Sequence, residues 1–380
     1  MKMSLGSVLA SFGGCLALAA IGGCGSSGTT TTGGTSVDTA CADVAAARCA
    51  EASTCTLADG QSGLGFNILS NYGSLATCLA RQTLNCKNAL AAPQTGNSPA
   101  LLEMCVPMLE AESCTAFFDN MPPASCTPTG PRADGAPCTF NGQCMSGSCT
   151  GTKTSLCGTC GEAPAAGGDC SDTTCADGDR CLAATSTCAA IVALNGPCDA
   201  THPCDRNFSC VGENAKTNTS GTCVAAATGV GAPCGGTTSG CDPTRGLYCG
   251  GPASAKTCQR IIYPGYNGSV GADGGATALD GGVPDAGSVS VPATPAGTPC
   301  GLLADGSRVG CVAGDCYTAT GLATGADEGT CKPFAADTAA CDTAVGPGCM
   351  TPARCVVSGG GDGGTAGTCV IPVGTACPSS

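Results

Sequence analysis

The pattern of apolar and polar positions changes three times along the chain. From Leu5 to Ile21 (LGSVLASFGGCLALAAI) the residues are almost continuously apolar over 17 positions. That is near the upper limit for a signal-peptide core, with an uncleaved anchor helix as the alternative. Residues 24–37 (CGSSGTTTTGGTSV) are small and polar, which predicts a flexible tether with a reach of about 20 Å. Residues 38–126 then take a helical period. Asp38 or Thr39 is placed to cap a helix running through Val44 to Ala52. Ser74 is placed to cap a second, with Leu75, Cys78, Leu79, Gln82, Cys86 and Ala89 at helical spacing. Ser98-Pro99 opens a third, carrying Leu101, Leu102, Cys105, Met108 and Leu109, with Pro107 expected to kink or shorten it. Ser113 to Asp119 adds a short turn. The expectation is a small three- or four-helix unit. Its pairs Cys41/Cys49 and Cys78/Cys86 each lie eight apart on one helix, too far to bond each other, so its eight cysteines should bridge between helices.

Downstream the helical period vanishes and cysteine becomes the organising residue. Residues 135–188 hold Cys138, Cys144, Cys149, Cys157, Cys160, Cys170, Cys175, Cys181 and Cys188. Residues 196–258 hold two four-cysteine blocks, Cys198-Cys204-Cys210-Cys223 and Cys234-Cys241-Cys249-Cys258. Residues 297–380 hold Cys300, Cys311, Cys316 and Cys331, then Cys341, Cys349, Cys355 and Cys369, and a stub at Cys377. A Gly-x-Pro-Cys-like start recurs along this stretch, which predicts an array of small units rather than one globule. Gly, Asp, Asn and Pro between the cysteines favour tight turns and short hairpins. Within a four-cysteine block the expected pairing is first to third and second to fourth, as in Cys198–Cys210 and Cys204–Cys223. Residues 261–296 lack cysteine and are rich in Gly, Asp and Pro, which reads as a disordered linker.

Composition sharpens this picture. Of 380 residues 36 are Cys and 60 are Gly, Trp is absent and aromatics make up 3%. Such a chain buries little apolar area, so the predicted fold class is small disulfide-rich: a helical unit, then a tandem array of cysteine-rich hairpin modules with disordered linkers. The formal charge of −13 repels phosphate backbones and argues against a nucleic-acid partner.

Two resemblances follow from particular residues. Lys2, the apolar run and Ile21-Gly22-Gly23-Cys24 resemble a bacterial lipobox, which implies a signal peptide over 1–23, lipidation of Cys24 and export. Export implies an oxidising compartment in which cysteines pair. The spacing from Cys138 to Cys188, with Cys157-Gly158-Thr159-Cys160 at its centre, resembles the Dickkopf N-terminal cysteine-rich domain. That family has ten cysteines, two of them adjacent; here Cys175 stands alone where the doublet would be. The resemblance covers about 51 residues and implies an extracellular, disulfide-knit binding module. The overall layout is similar to that of cysteine-rich surface lipoproteins of Gram-negative bacteria.

Candidate chemistry is sparse. Cys157-x-x-Cys160 has the spacing of a thiol–disulfide pair, but it lies in a loop with regular cysteines on both sides, which favours structural bridges. Metal ligation by cysteine is disfavoured by export, and the single histidine, His202, sits in a loop. Asp273, Asp280 and Asp285 lack the spacing of a calcium loop. No G-x-S-x-G, H-E-x-x-H or Walker sequence occurs. The reading is a non-catalytic, lipid-anchored protein of the outer membrane or cell surface. It would serve binding, adhesion or envelope structure, with an extracellular protein or carbohydrate partner and no cofactor. The alternatives are an exported enzyme using Cys157 and Cys160, and a protease inhibitor.

Overall fold

The computed structural model describes residues 35–56, 64–119, 121–151, 155–171, 173–182, 185–214, 217, 219–252, 255–266, 291–323, 327–357 and 364–377. Residues from 34 onward form one compact unit. The expected signal peptide, Cys24, most of the expected tether and residues 267–290 of the expected linker lie outside the described residues.

Five helices build the N-terminal part: α1 (Val37–Thr54), α2 (Phe66–Tyr72), α3 (Leu75–Leu90), α4 (Pro99–Glu110) and α5 (Cys114–Phe118). Ser36 caps α1 by accepting from the Thr39 amide, so the cap lies two residues before the expected Asp38. Ser74, Ser98 and Ser113 cap α3, α4 and α5 in the same way. The helix α4 continues through Pro107 to Glu110, because proline in the last turn removes only one carbonyl partner. The seven-residue α2, between Gly65 and the left-handed Gly73, is too short for a period to show in the sequence.

Small side chains let α1 pack closely on α3 and α4; its buried positions are Ala40, Cys41, Ala45, Ala47, Cys49 and Ala52. Two disulfides then clip α1 to α3 antiparallel, Cys41–Cys86 and Cys49–Cys78. The bonded positions are eight residues, roughly 12 Å, apart on each helix. Cys55–Cys114 ties α1 to α5, and Cys105–Cys126 ties α4 to the segment after α5.

Beyond this unit lie six hairpin modules, each built around two disulfides joining first to third and second to fourth cysteine. In the third module the strands are Pro197–Cys198, Phe208–Val211 and Gly221–Ala225, all antiparallel. Cys210 and Cys223 face each other in register across the hairpin. They do not bond each other; they bond Cys198 and Cys204. The same register recurs at Cys149/Cys160, Cys181/Cys188, Cys249/Cys258, Cys316/Cys331 and Cys355/Cys369. Their partners are Cys138/Cys144, Cys170/Cys175, Cys234/Cys241, Cys300/Cys311 and Cys341/Cys349. The crossed bridges are the module core: in the first module Cys138, Cys144, Cys149 and Cys160 form a buried cluster with no other member.

The modules share further local features. Three residues before the first cysteine the chain turns with positive φ. Gly occupies this place at 135, 167, 231 and 297, but Asn195 (φ 67°) and Thr338 (φ 67°) hold it in the third and sixth modules. The N–H of that residue donates to the carbonyl of the fourth cysteine in all six. Thr precedes the fourth cysteine in all six, at 159, 187, 222, 257, 330 and 368. In four modules Gly stands before that Thr and faces the first cysteine; a Cβ on Gly221 would lie 2.7 Å from Cys210 Sγ. In four modules the incoming segment also makes a parallel bridge to the second cysteine, at Arg132–Cys144, Val192–Cys204, Ala227–Cys241 and Ala335–Cys349.

The stretch from Cys138 to Cys188, continuous in its cysteine spacing, folds as two successive modules. Cys157 belongs to neither pair set and bonds Cys377, 220 residues away. The residues flanking 267–290 are packed. Tyr266 donates its hydroxyl to the Leu64 carbonyl at 3.4 Å, and Val291 is 7% exposed in a core with Leu69, Tyr263, Val312 and Ala313.

Candidate functional site

All six modules touch the helical unit, and these contacts carry the polar chemistry of the molecule. Gln143 of the first module is fully buried; its Oε1 accepts from the Thr139 and Phe140 amides and its Nε2 donates to the Pro93 carbonyl at 2.9 Å. The fourth module brings Gly246 against Phe66, and the fifth donates from the Ala313 amide to the Leu69 carbonyl. Ahead of the sixth module, Asp337 takes both terminal nitrogens of Arg81, at 2.6 and 2.9 Å. Arg81 also donates to the carbonyls of Met350 and Thr351.

The second and third modules meet the helical unit at one carboxylate. Asp119 follows α5 and its side chain is 2% exposed. Its Oδ1 accepts from Arg180 Nη2 at 3.1 Å and from Arg206 Nε at 2.7 Å. Arg180 also donates to the Cys204 carbonyl at 2.7 Å, so one guanidinium joins three parts of the chain. Beside them burial pushes the Asp205 carboxyl up, and the charge of Asp119 adds to that. Two carboxyls facing two guanidiniums form a nearly neutral clamp, and removing one partner leaves a charge stranded.

The chain closes on itself through the C-terminal segment. Cys377 bonds Cys157. The Cys377 carbonyl accepts from the buried Arg132 at 3.2 Å, and Asn88 donates to the Pro372 carbonyl at 3.0 Å. Arg354 of the sixth module donates to the carbonyls of Leu156 and Thr139 in the first. Cys377 is thus a clasp rather than the stub its sequence suggests.

The residues singled out for chemistry are placed as follows. Cys160 is bonded to Cys144 and Cys157 to Cys377, so the C-x-x-C pair contains no mutual disulfide. Three sulfurs of the crossed bridges lie within 4.8 Å of one another in each of the first five modules, as for Cys138, Cys144 and Cys149. Cysteine binds zinc as the thiolate, so those sulfurs would have to be reduced before they could ligate. His202 Nδ1 lies 2.9 Å from Asp199 Oδ1 and 3.1 Å from Thr201 Oγ1. Asp199 also accepts from the Thr201 hydroxyl and amide, which hold its carboxyl down at about 2. A nucleophilic triad needs hydroxyl and carboxylate on opposite ring nitrogens; here both approach the same one, in a single exposed turn. Asp273, Asp280, Asp285 and Cys24 lie outside the described residues. Among the described residues no helix is long and apolar enough to cross a membrane.

Sequence reasoning missed the clamp at Asp119 and the clasp at Cys377. The clamp has no linear signal, since Asp119, Arg180 and Arg206 are spread over 87 residues. The clasp had one: nine cysteines between 138 and 188 leave one unpaired, and a lone cysteine follows the last block. Comparison with known proteins finds no family model, no curated protein and no solved structure that matches this chain.

Proposed function

We propose that this chain is an exported, lipid-anchored scaffold of the cell envelope that presents its modules for extracellular binding and does no chemistry of its own. The observation that carries the reading is the state of the cysteines: every one from Cys41 to Cys377 is in a disulfide, 17 bridges in all. A thiol enzyme keeps a reactive thiolate. Here sulfur does the work of a hydrophobic core, which suits an oxidising exterior. The apolar run ending at Cys24 and the polar tether supply the proposed anchor. The resemblance of residues 138–188 to an extracellular binding domain points the same way. The partner class is an extracellular protein or a carbohydrate.

The anchor is tested by metabolic labelling with an alkyne fatty acid, membrane fractionation and protease shaving of intact cells. The native chain is expected to label, to sediment with membranes and to be cut from outside. Cys24→Ser should lose the label and the sedimentation. A native chain that stays unlabelled, or a variant that still carries lipid, would remove the anchor from the proposal.

A further inference from the structure

The helical unit contains a crevice that no contact described above fills. It lies between α1, α3 and α4 and has a volume of about 170 Å3. Its lining includes the aliphatic side chains of Val44, Leu90, Leu102 and Leu109. Leu109 belongs to the small core with Ala47 and Cys105. The same lining carries Arg48, one turn beyond Val44 on α1, and Asn85 of α3. Two more amides at the rim are engaged: Gln82 donates to the Tyr72 hydroxyl at 2.8 Å and Asn97 to the Thr95 hydroxyl at 3.3 Å. The side chains of Arg48 and Asn85 have no hydrogen-bond partner among the described residues.

A half-buried guanidinium with five donors and no acceptor is an expensive feature to keep. Its nearest countercharge is Glu112, which acts on it through space without coming within ion-pair distance. Glu112 is itself poorly solvated, with Oε1 buried and unpartnered, and Glu51 adds a further negative charge beside it. Burial lowers the proton affinity of Arg48 despite Glu112, in keeping with a cation that has lost water and gained no partner.

We propose that this crevice binds a small organic anion, a carboxylate with a short aliphatic body, its carboxylate on Arg48 and Asn85 and its hydrocarbon against Val44, Leu90, Leu102 and Leu109. The guanidinium presents paired N–H groups that match the two carboxylate oxygens, and the Asn85 amide adds a donor. The aliphatic lining selects against bare inorganic anions, and the guanidinium selects against amines. An apolar cavity of about 150 Å3 holds a benzene-sized molecule, so butyrate to hexanoate is the matching range.

The test is saturation-transfer NMR on the full, oxidised chain with hexanoate, hexanol and hexylamine as observed probes and proton-free sulfate as a competitor of hexanoate. Hexanoate should bind saturably and be displaced by butyrate, with the other three weaker by about tenfold or more. Arg48→Met should reduce hexanoate to the level of hexanol. Glu112→Gln removes the competing carboxylate and should tighten it. Hexanoate no tighter than hexanol in the native chain would overturn the proposal, as would unchanged affinity in Arg48→Met. Sulfate binding as well as hexanoate would also overturn it, reducing the crevice to an adventitious anion site. If Arg48→Met does not form its full set of bridges by intact mass, the four-probe comparison on the native chain and Glu112→Gln still decide.

Discussion

Removing the clasp with the double substitution Cys157→Ala and Cys377→Ala should loosen the closure without unfolding any module. The bond spans 220 residues of sequence. In the chain-entropy argument a loop of that length stabilises by about 5 kcal/mol. Bridges inside the second to sixth modules shorten the effective loop of the unfolded chain. Because the dependence is logarithmic, a shortening by a third removes only about 0.4 kcal/mol. Non-covalent contacts remain at the junction: Asn88 to Pro372, Arg132 to Cys377, and Arg354 to Leu156 and Thr139. Gly374 also packs so closely on Ala92 that an added Cβ would lie 2.2 Å from its Cα. Each module keeps its own two bridges. The expected result is a loss of about 2–5 kcal/mol in guanidinium unfolding of the oxidised protein. Hydrogen exchange should rise at residues 371–377 and 155–160 and stay unchanged in the other hairpins. An unchanged midpoint with unchanged exchange at both segments would refute the reasoning, since the docked contacts alone would then hold the ends together.

Further predictions address single positions. Thr338→Gly relieves a β-branched residue at φ 67° and should stabilise by about 0.5–1 kcal/mol, while Gly231→Thr, at the equivalent turn with nothing within 4 Å of an added Cβ, should destabilise by about 1–2 kcal/mol; equal midpoints in chemical unfolding would count against both. Asp119→Ala strands Arg180 and Arg206 and should destabilise by about 3 kcal/mol, with limited proteolysis first cutting between the second and third modules; Asp119→Ala indistinguishable from the native chain would show the clamp to be ornamental. Burial raises the Asp315 carboxyl, with a hydrogen bond from the Tyr317 hydroxyl opposing it. The folded state therefore holds that proton more tightly than the unfolded one, and the associated stability is present at low pH and lost as pH rises through the raised value. Asp315→Asn cannot ionise, so its midpoint should gain on the native chain as pH rises from about 4 to 7; a gap that does not change with pH would sink this assignment.

The local chemistry of this chain was legible and its long-range assembly was not. Serine caps before Leu75, Pro99 and Cys114 are written in residues three or four apart. The repeated spacing marks Cys198, Cys204, Cys210 and Cys223 as one unit, and the pairing expected of it, first to third and second to fourth, is the one found, although spacing alone leaves three connectivities open. The Thr before each fourth cysteine is a sixfold signal equally open to reading, and it fits the exposed face of a strand. What the sequence hid is how the modules return to the helices. Arg81 with Asp337, or Tyr263 packed near Leu69, joins residues roughly 200 apart or more through one contact each, and no period or motif announces such pairs. Tyr263 and Val291 flank a Gly/Asp/Pro-rich stretch whose composition speaks for disorder, yet each buries its own side chain in a core. The crevice at Arg48 was hidden for the same reason: its walls come from three helices, and an arginine among alanines in α1 reads as a solvated face.

The crossed bridges free the hairpins from a constraint that most hairpins obey. In an ordinary hairpin the turn fixes the register, and a slip of one residue would send every side chain to the other face. Here the register is fixed covalently at the third and fourth cysteines, so the residues between them need not encode it. Their spacing follows suit, from 7 between Cys181 and Cys188 to 15 between Cys316 and Cys331, with the facing pair unmoved. The result is six stems built on the same facing cysteine pair, with six loops released to diverge in length and composition.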